Sequence, residues 1–322
     1  MILGIDIGGA NTKIASSDGT VAETYYLPLW KSAELNKKLT LVAQRYHPSD
    51  VVVVMTGELA DSFCDKKSGV QYIKKAVEDA FATTRVTYID VSGKLTDGCN
   101  ESTLAASNWC ASVRFFADEF ENCIFADMGT TTTDIIPIVS GTPVAHTTDL
   151  KRLLHNQLVY TGLFRTNIAA LTNHVYLRDM KCKLASEYFA NTADIHLILG
   201  HITESSYTCE TPDGGGKDLL SAKRRLARIV CADFEELADE EIYNMAEQIY
   251  KIQVEQITRS LEKIAQEYEL NQIVVCGIGE FVLGQAALNA GLEATFISER
   301  YGKKISGVFP AYAAAKLNRK II

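Results

Sequence analysis

The chain carries one device twice. Apolar residues lead into Asp6, and the segment Asp6-Ile7-Gly8-Gly9-Ala10-Asn11-Thr12-Lys13 follows. Further on, the apolar run 123–126 leads into Asp127-Met128-Gly129-Thr130-Thr131-Thr132-Thr133-Asp134. Each reads as a strand that delivers an acid to a tight glycine turn with hydroxyl side chains beyond it. A further strand candidate follows each turn, at residues 12–16 and 135–139. Repetition of a strand–turn–strand unit predicts two lobes of one plan, with a boundary near residues 117–122. Glycines let the backbone approach a ligand and aim N–H groups at it, which suits phosphate oxygens. Two such turns, one opening each lobe, point to a phosphate chain held between them. Neither the P-loop pattern nor the dinucleotide G-x-G-x-x-G pattern is present.

Composition narrows the class. The 322 residues are 47% hydrophobic and 22% charged, with a net charge of −8. An acidic chain of this kind is not expected to wrap nucleic acid or to lie on an anionic membrane. No apolar run approaches the roughly 20 residues that span a bilayer, and the first residues lack the basic region and cleavage site of a secretion signal. The eight cysteines include no C-x-x-C pair and no zinc-finger spacing. The expectation is a cytoplasmic protein whose cysteines are reduced and mostly structural.

Strand candidates alternate with helical patterns along the chain. Residues 51–55 are a continuous β-branched run, suited to a strand buried on both faces. Helical spacing appears at 71–82, and 104–116 also reads as a helix; 86–91 reads as a strand. Residues 235–268 form a long amphipathic pattern, suited to a core helix or to packing between subunits of a homo-oligomer. The basic residues Lys223, Arg224, Arg225 and Arg228 are expected on a solvated helix face. Strands at 273–276 and 294–297 precede an alanine-rich closing helix at 309–318, with Pro310 near its start. A third glycine turn, Gly277-Ile278-Gly279-Glu280, follows the strand at 273–276. It is either a receptor for a nucleoside near a helix N-terminus or a simple strand-to-helix turn. His146, His155, His174, His196 and His201 show no triad or metal spacing, and no serine or cysteine sits in a nucleophile elbow.

In this order, the three turns resemble the phosphate and nucleoside motifs of the actin–hexokinase–Hsp70 superfamily, over the whole chain. The resemblance implies an α/β fold of two ribonuclease-H-like lobes, 1–118 and 119–322. It implies a helical insertion in the second lobe at about 150–270 and a last helix returning toward the first. Finer motifs narrow it. They are Met55-Thr56-Gly57-Glu58-Leu59 with Asp61, Ala106-Ser107-Asn108-Trp109, Tyr160-Thr161-Gly162 with Arg165-Thr166, Pro212-Asp213-Gly214, and Arg225-Leu226-Ala227-Arg228 with Cys231 and Asp233. With the two acid turns, these resemble the hydantoinase/oxoprolinase-like branch, and within it the methanofuran-biosynthesis synthases. That family joins a furan-methyl diphosphate to the phenol of γ-glutamyltyramine and releases pyrophosphate.

The resemblance implies roles residue by residue. Asp6 and Asp127 are the expected contacts of Mg²⁺ or another divalent cation, directly or through water. Gly8, Gly9, Asn11, Thr12, Lys13, Gly129, Thr130, Thr131 and Thr132 are expected around the phosphates. Gly277, Gly279 and Glu280 are expected where ATP or ADP would sit, although the synthase reaction needs no nucleotide. Glu58 is the first choice for the carboxylate that takes the phenol proton and Asp134 the second; Glu58 serves equally as a cap of the next helix. Arg165 either binds the glutamyl carboxylate or forms an internal ion pair. Asp213 either belongs to a substrate loop or merely shapes a turn. The partners implied are small molecules. The same phosphate turns would also serve an ATP-dependent kinase or a nucleotide sensor.

Overall fold

The computed structural model describes residues 1–31, 34–117 and 119–319. Its first sheet comprises β1 (Ile2–Ile7), β2 (Asn11–Ser16), β3 (Ala22–Tyr26), β4 (Asp50–Met55), β5 (Arg85–Ile89) and β6 (Leu95–Thr96), in the order β3-β2-β1-β4-β5-β6. β1 pairs antiparallel with β2 and parallel with β4. The second sheet comprises β7 (Cys123–Met128), β8 (Thr133–Val139), β9 (Thr142–Pro143) and β10 (Leu158–Val159), then, after the hairpin of β11 (His174–Leu177) and β12 (Met180–Lys183), β13 (Gln272–Gly277) and β14 (Glu293–Phe296). Its order is β10-β8-β7-β13-β14, with β9 pairing β8. Again the leading strand pairs antiparallel with its successor and parallel with a later strand. The two sheets therefore repeat one topology.

Helices fill the spaces around them. α1 (Leu35–Tyr46) and α2 (Lys66–Ala80) cover the outer face of the first sheet, where Leu3, Ile5, Ile7, Val51 and Val53 are buried. α3 (Asn108–Phe116) lies between the sheets. Beyond β9 come α4 (Asp149–Leu154), α5 (Ile168–Leu171), α6 (Thr192–Ile198), α7 (Leu219–Arg228), the 30-residue α8 (Asp239–Tyr268) and α9 (Glu280–Asn289). α10 (Ile297–Tyr301), α11 (Lys303–Gly307) and α12 (Phe309–Arg319) close the chain. α12 packs across β1, β2 and β4 and against α3. Phe116 and Phe309 stack at 5.1 Å between the sheets, in a core that also buries Val52, Phe125 and Ile136. α6, α7, α8 and α9 bury the outer face of the second sheet. No helix among the described residues is long and apolar enough to cross a membrane.

Three boundaries and one face differ from the sequence reading. The helix expected from residue 104 begins at Asn108, because Ala106 turns left-handed (φ 53°) and Ser107 N–H donates to Met55 O. The long helix begins at Asp239, since Asp233 caps a separate short turn over residues 234–236. α2 starts earlier than expected, at Lys66, behind an Asp65–Ser68 capping box. α7 is not simply a solvated basic face: Arg225 is fully buried and bonds Asp194 at 2.7 Å and 2.9 Å. Of the cysteines, Cys110, Cys123, Cys209 and Cys276 are buried, whereas Cys64, Cys99 and Cys231 are exposed.

Candidate functional site

Strand parity puts the two acids face to face. Side chains alternate between the faces of a strand. On β1, Leu3, Ile5 and Ile7 point outward to α1 and α2, so Asp6 points inward. On β7, Ile124, Ala126 and Met128 point outward toward α8 and α9, so Asp127 also points inward. Both carboxylates are buried, and Oδ1 of each has no hydrogen-bond partner. Burial pushes the Asp6 carboxyl up to about 6, against the attraction of Lys13 and with repulsion from Asp134. Burial pushes Asp127 up to about 7, again opposed by Lys13. Burial works against the charge of Lys13, but Asp6 and Asp127 outweigh it and raise its pKa. Lys13 Nζ lies 3.9 Å from Asp6 Oδ2.

The turns beyond the acids share a geometry. Gly8 N–H donates to Asn11 O at 2.9 Å, and Gly129 N–H to Thr132 O at 3.0 Å. A following segment then pins each turn from outside. Leu29 and Leu27 donate to the carbonyls of Gly9 and Ala10; Leu163 donates to Gly129 O, and Phe164 and Arg165 both donate to Thr130 O. That second clamp needs Gly162, because a Cβ there would lie 2.4 Å from Thr131 N. The two turns touch through Asn11 Nδ2, which donates to Thr130 Oγ1 at 3.0 Å.

A cleft of about 660 Å³ opens above them, within the size range of small-molecule sites. Both turns line it, together with Trp30, Leu59, Lys66, Asn108, Asp149, Arg152, Tyr160 and Arg165. Arg152 is buried and bonds both Asp134 and Asp149, the latter at 2.7 Å. Asp134 is therefore committed to an ion pair; burial raises its pKa while Arg152 pulls it down. Arg165 lies 4.3 Å from the centre of the Trp30 ring and donates to Thr131 Oγ1 at 3.2 Å. Arg165 forms no ion pair among the described residues; it reaches across the lobes to an aromatic face and into the second turn.

Other expected site residues do not line this cleft. Glu58 is buried behind its wall, with Oε2 unpartnered, and burial pushes its carboxyl up to about 7. It does not cap α2, because Asp65 does. Gly277, Gly279 and Glu280 do not line the cleft. Gly277 has φ 94°, and a Cβ there would meet Asp127 Oδ1 at 2.2 Å, so this glycine lets β13 seat against β7. Glu280 accepts from Ser298 N–H and from the Ser306 hydroxyl. Asp213 likewise does not line the cleft: it accepts from Arg225 at 3.2 Å and from Arg228 at 2.9 Å. It extends the buried Arg225–Asp194 pair and shapes its own turn by accepting from Gly215 N–H.

Sequence reasoning passed over several residues that the fold brings in. Arg152 and Asp149, three apart on α4 behind the Thr148 cap, were legible only as a short polar helix start. Gln253, on α8, is buried and donates to Thr161 Oγ1 and Gly162 O, both at 2.9 Å. Its Oε1 is then the acceptor for His196 Nε2 at 3.0 Å, which leaves His196 Nδ1 to accept from His201 Nδ1 at 3.1 Å. Burial and the neighbouring His201 push His196 down to about 3, so it stays neutral and fixes the amide that holds the second clamp.

Among the described residues no group of three or more His, Cys, Asp or Glu side chains converges on one point. The two orphaned carboxylate oxygens nevertheless suit a cation that takes most of its ligands from phosphate and water, as Mg²⁺ does. Asn11 Oδ1, also buried without a partner, adds one more oxygen there, whereas Thr12, opposite Ile7 in the strand register, shares the outer face with Ile14 and does not line the cleft.

Two paired lobes with an acid turn in each define an actin/hexokinase-like fold. Solved structures share it: a nucleotide-free acetone carboxylase (TM-score 0.57, 9% identity, 98% of this chain and 70% of that one) and a glucokinase of the ROK family from Streptomyces griseus in complex with glucose and AMPPNP (TM-score 0.51, 10% identity, 99% of each chain). Within that class the chain belongs to the hydantoinase/oxoprolinase family, whose model matches residues 50–321. More particularly, it is 44% identical to the (4-{4-[2-(γ-L-glutamylamino)ethyl]phenoxymethyl}furan-2-yl)methanamine synthase of Methanocaldococcus jannaschii, over 99% of this chain and 98% of the relative. A synthase of the same name from Methanococcus vannielii is 41% identical over 62% of this chain and 96% of the relative.

Proposed function

We propose that the protein is a transferase that joins (5-aminomethylfuran-3-yl)methyl diphosphate to γ-glutamyltyramine through the phenol oxygen, releasing pyrophosphate. The observation that carries this reading is the end-to-end 44% identity to a synthase named for the corresponding ether. The cleft supports it, because the two acid turns suit a diphosphate.

In the reaction the methylene–oxygen bond to diphosphate breaks and its electron pair leaves with pyrophosphate. The furan ring stabilises the positive charge at the methylene, the phenol oxygen bonds to that carbon, and the phenol proton passes to a base. Asp6 and Asp127 would hold Mg²⁺, which supplies neutralisation of the leaving diphosphate. Lys13, the Asn11 amide, the hydroxyls of Thr130–Thr132 and the turn N–H groups orient the phosphates. Such preorganised donors are effective because they need no rearrangement as charge develops. Asp134 and Asp149 both line the cleft, each paired with Arg152, and either would take the phenol proton more directly than Glu58, which does not line it. The contacts at Asn11–Thr130 and Trp30–Arg165 join the lobes, and their closing on the substrates would exclude water and align the reactants.

The test is direct. The purified chain with Mg²⁺, the furan diphosphate and γ-glutamyltyramine is expected to yield the ether and one pyrophosphate per ether, without ATP. A phosphorylated product formed only with ATP would overturn the reading in favour of a kinase.

A further inference from the structure

Beyond its polar turns the cleft mixes charged side chains with a group of large apolar ones. Leu59 projects from the first lobe, and Leu150, Leu153 and Tyr160 from the second. All four line the cleft, yet they remain between 44% and 68% exposed. Leu150 and Leu153 are three apart on α4, hence on one side of that helix, next to the cleft-lining Asp149 and Arg152. Large apolar side chains left open inside a binding cleft mark a place for an apolar ligand surface. A sugar or another polyol would leave its hydroxyls facing these side chains.

The cations of the same cleft sort in a telling way. Lys13 faces Asp6, and Arg152 bonds two carboxylates. Arg165 is engaged by Thr131 and the Trp30 ring. Lys66 lines the cleft and forms no ion pair among the described residues, although its charge acts on the buried Glu58 carboxyl and pulls its pKa down against the larger effect of burial. It stands at the first position of α2, where the helix dipole also favours an anion.

We propose that this part of the cleft is the acceptor subsite: Leu59, Leu150, Leu153 and Tyr160 hold the phenol ring of a tyramine amide, and Lys66 pairs with the carboxylate at its far end. This rests on the transferase reading and names the residues that choose the acceptor. The diphosphate would then lie on the acid turns, and the phenol oxygen would face it from the apolar side.

Binding to the full chain, with Mg²⁺ and inorganic pyrophosphate present, tests the subsite without turnover. The titrants are γ-glutamyltyramine and N-acetyltyramine, which lacks the carboxylate. Lys66→Met is expected to weaken γ-glutamyltyramine by about tenfold or more, the weight of one charge-assisted bond, and to leave N-acetyltyramine unchanged. Leu150→Ser with Leu153→Ser, at exposed positions that a folded chain tolerates, is expected to weaken both titrants several-fold. Equal effects of Lys66→Met on the two titrants, or no effect of the leucine pair, would overturn the proposal, as would a wild-type chain that binds neither. If the wild-type chain binds γ-glutamyltyramine through Lys66 but forms no ether, the subsite stands and the transferase reading falls.

Discussion

The two acid turns share one backbone and differ in what faces the acid. In the first lobe the strand register sets Asp6 opposite Lys13; in the second it sets Asp127 opposite Asp134. The turn bonds and the outside clamps are otherwise matched. The first lobe therefore neutralises its acid within its own hairpin. The second has acid facing acid and must import a cation, Arg152, from α4. It is also the second turn whose clamp is held from α8 through Gln253, whereas the first is pinned by the short connection after β3. A repeated backbone can thus carry unequal charge, provided one copy is supported by an insertion.

The largest expected effect probes that support. Arg152→Met leaves Asp134 buried without its cation, and the loss of one partner of such a pair costs about 3–5 kcal/mol. Urea denaturation would read it; a loss below about 1 kcal/mol would mean that the second hairpin does not depend on α4. Next come the acids themselves. Asp6→Asn and Asp127→Asn are each expected to lower pyrophosphate release on the order of 10²–10³-fold. If only one substitution does so, the two turns do not act as a pair. Gln253→Leu removes three hydrogen bonds around Thr161, Gly162 and His196, leaving buried polar groups unpaired at about 1–3 kcal/mol. Its KM for the diphosphate should rise while that for the phenol stays constant; equal changes in both would reduce Gln253 to a packing residue.

The smallest effect is a pH trend. The carboxyls of Asp6 and Asp127 are raised from 3.8 to about 6 and about 7. A group raised on folding adds stability that is fully present below its unfolded pKa and is lost as pH climbs through its folded value. Without metal, the stability contributed by this pair, read as melting temperature, should fall between about pH 4 and pH 7. Mg²⁺ with pyrophosphate should raise it more at the upper end, because only the ionised pair binds a cation. A Mg²⁺ effect larger at acid pH would break the assignment of these two acids to the metal.

Much of this was legible because the signals are local. Acid, glycine and hydroxyl within one turn, after a run of apolar residues, specify a strand and its turn without reference to the rest of the chain. The strands at Asp50–Met55 and Gln272–Gly277 were legible for the same reason. α1 went unread although Leu35, Leu39 and Val42 already mark its buried side. The surroundings of Glu58 and Asp213 were not legible. Which way a carboxylate faces depends on helices distant in sequence: Gly69 of α2 packs on the Glu58 backbone, and α7 brings Arg225 and Arg228 to Asp213.

The sequence by itself determined that there are two strand–turn–strand units, each with an acid at its turn, because alternation and turn chemistry act over a few residues. Only the tertiary structure decided that both acids face inward, that Lys13 acts on both while Arg152 pairs with Asp134, and that Lys66 and the α4 leucines share their cleft. Those outcomes depend on packing between segments more than a hundred residues apart, such as Asn11 against Thr130, and no local pattern records them.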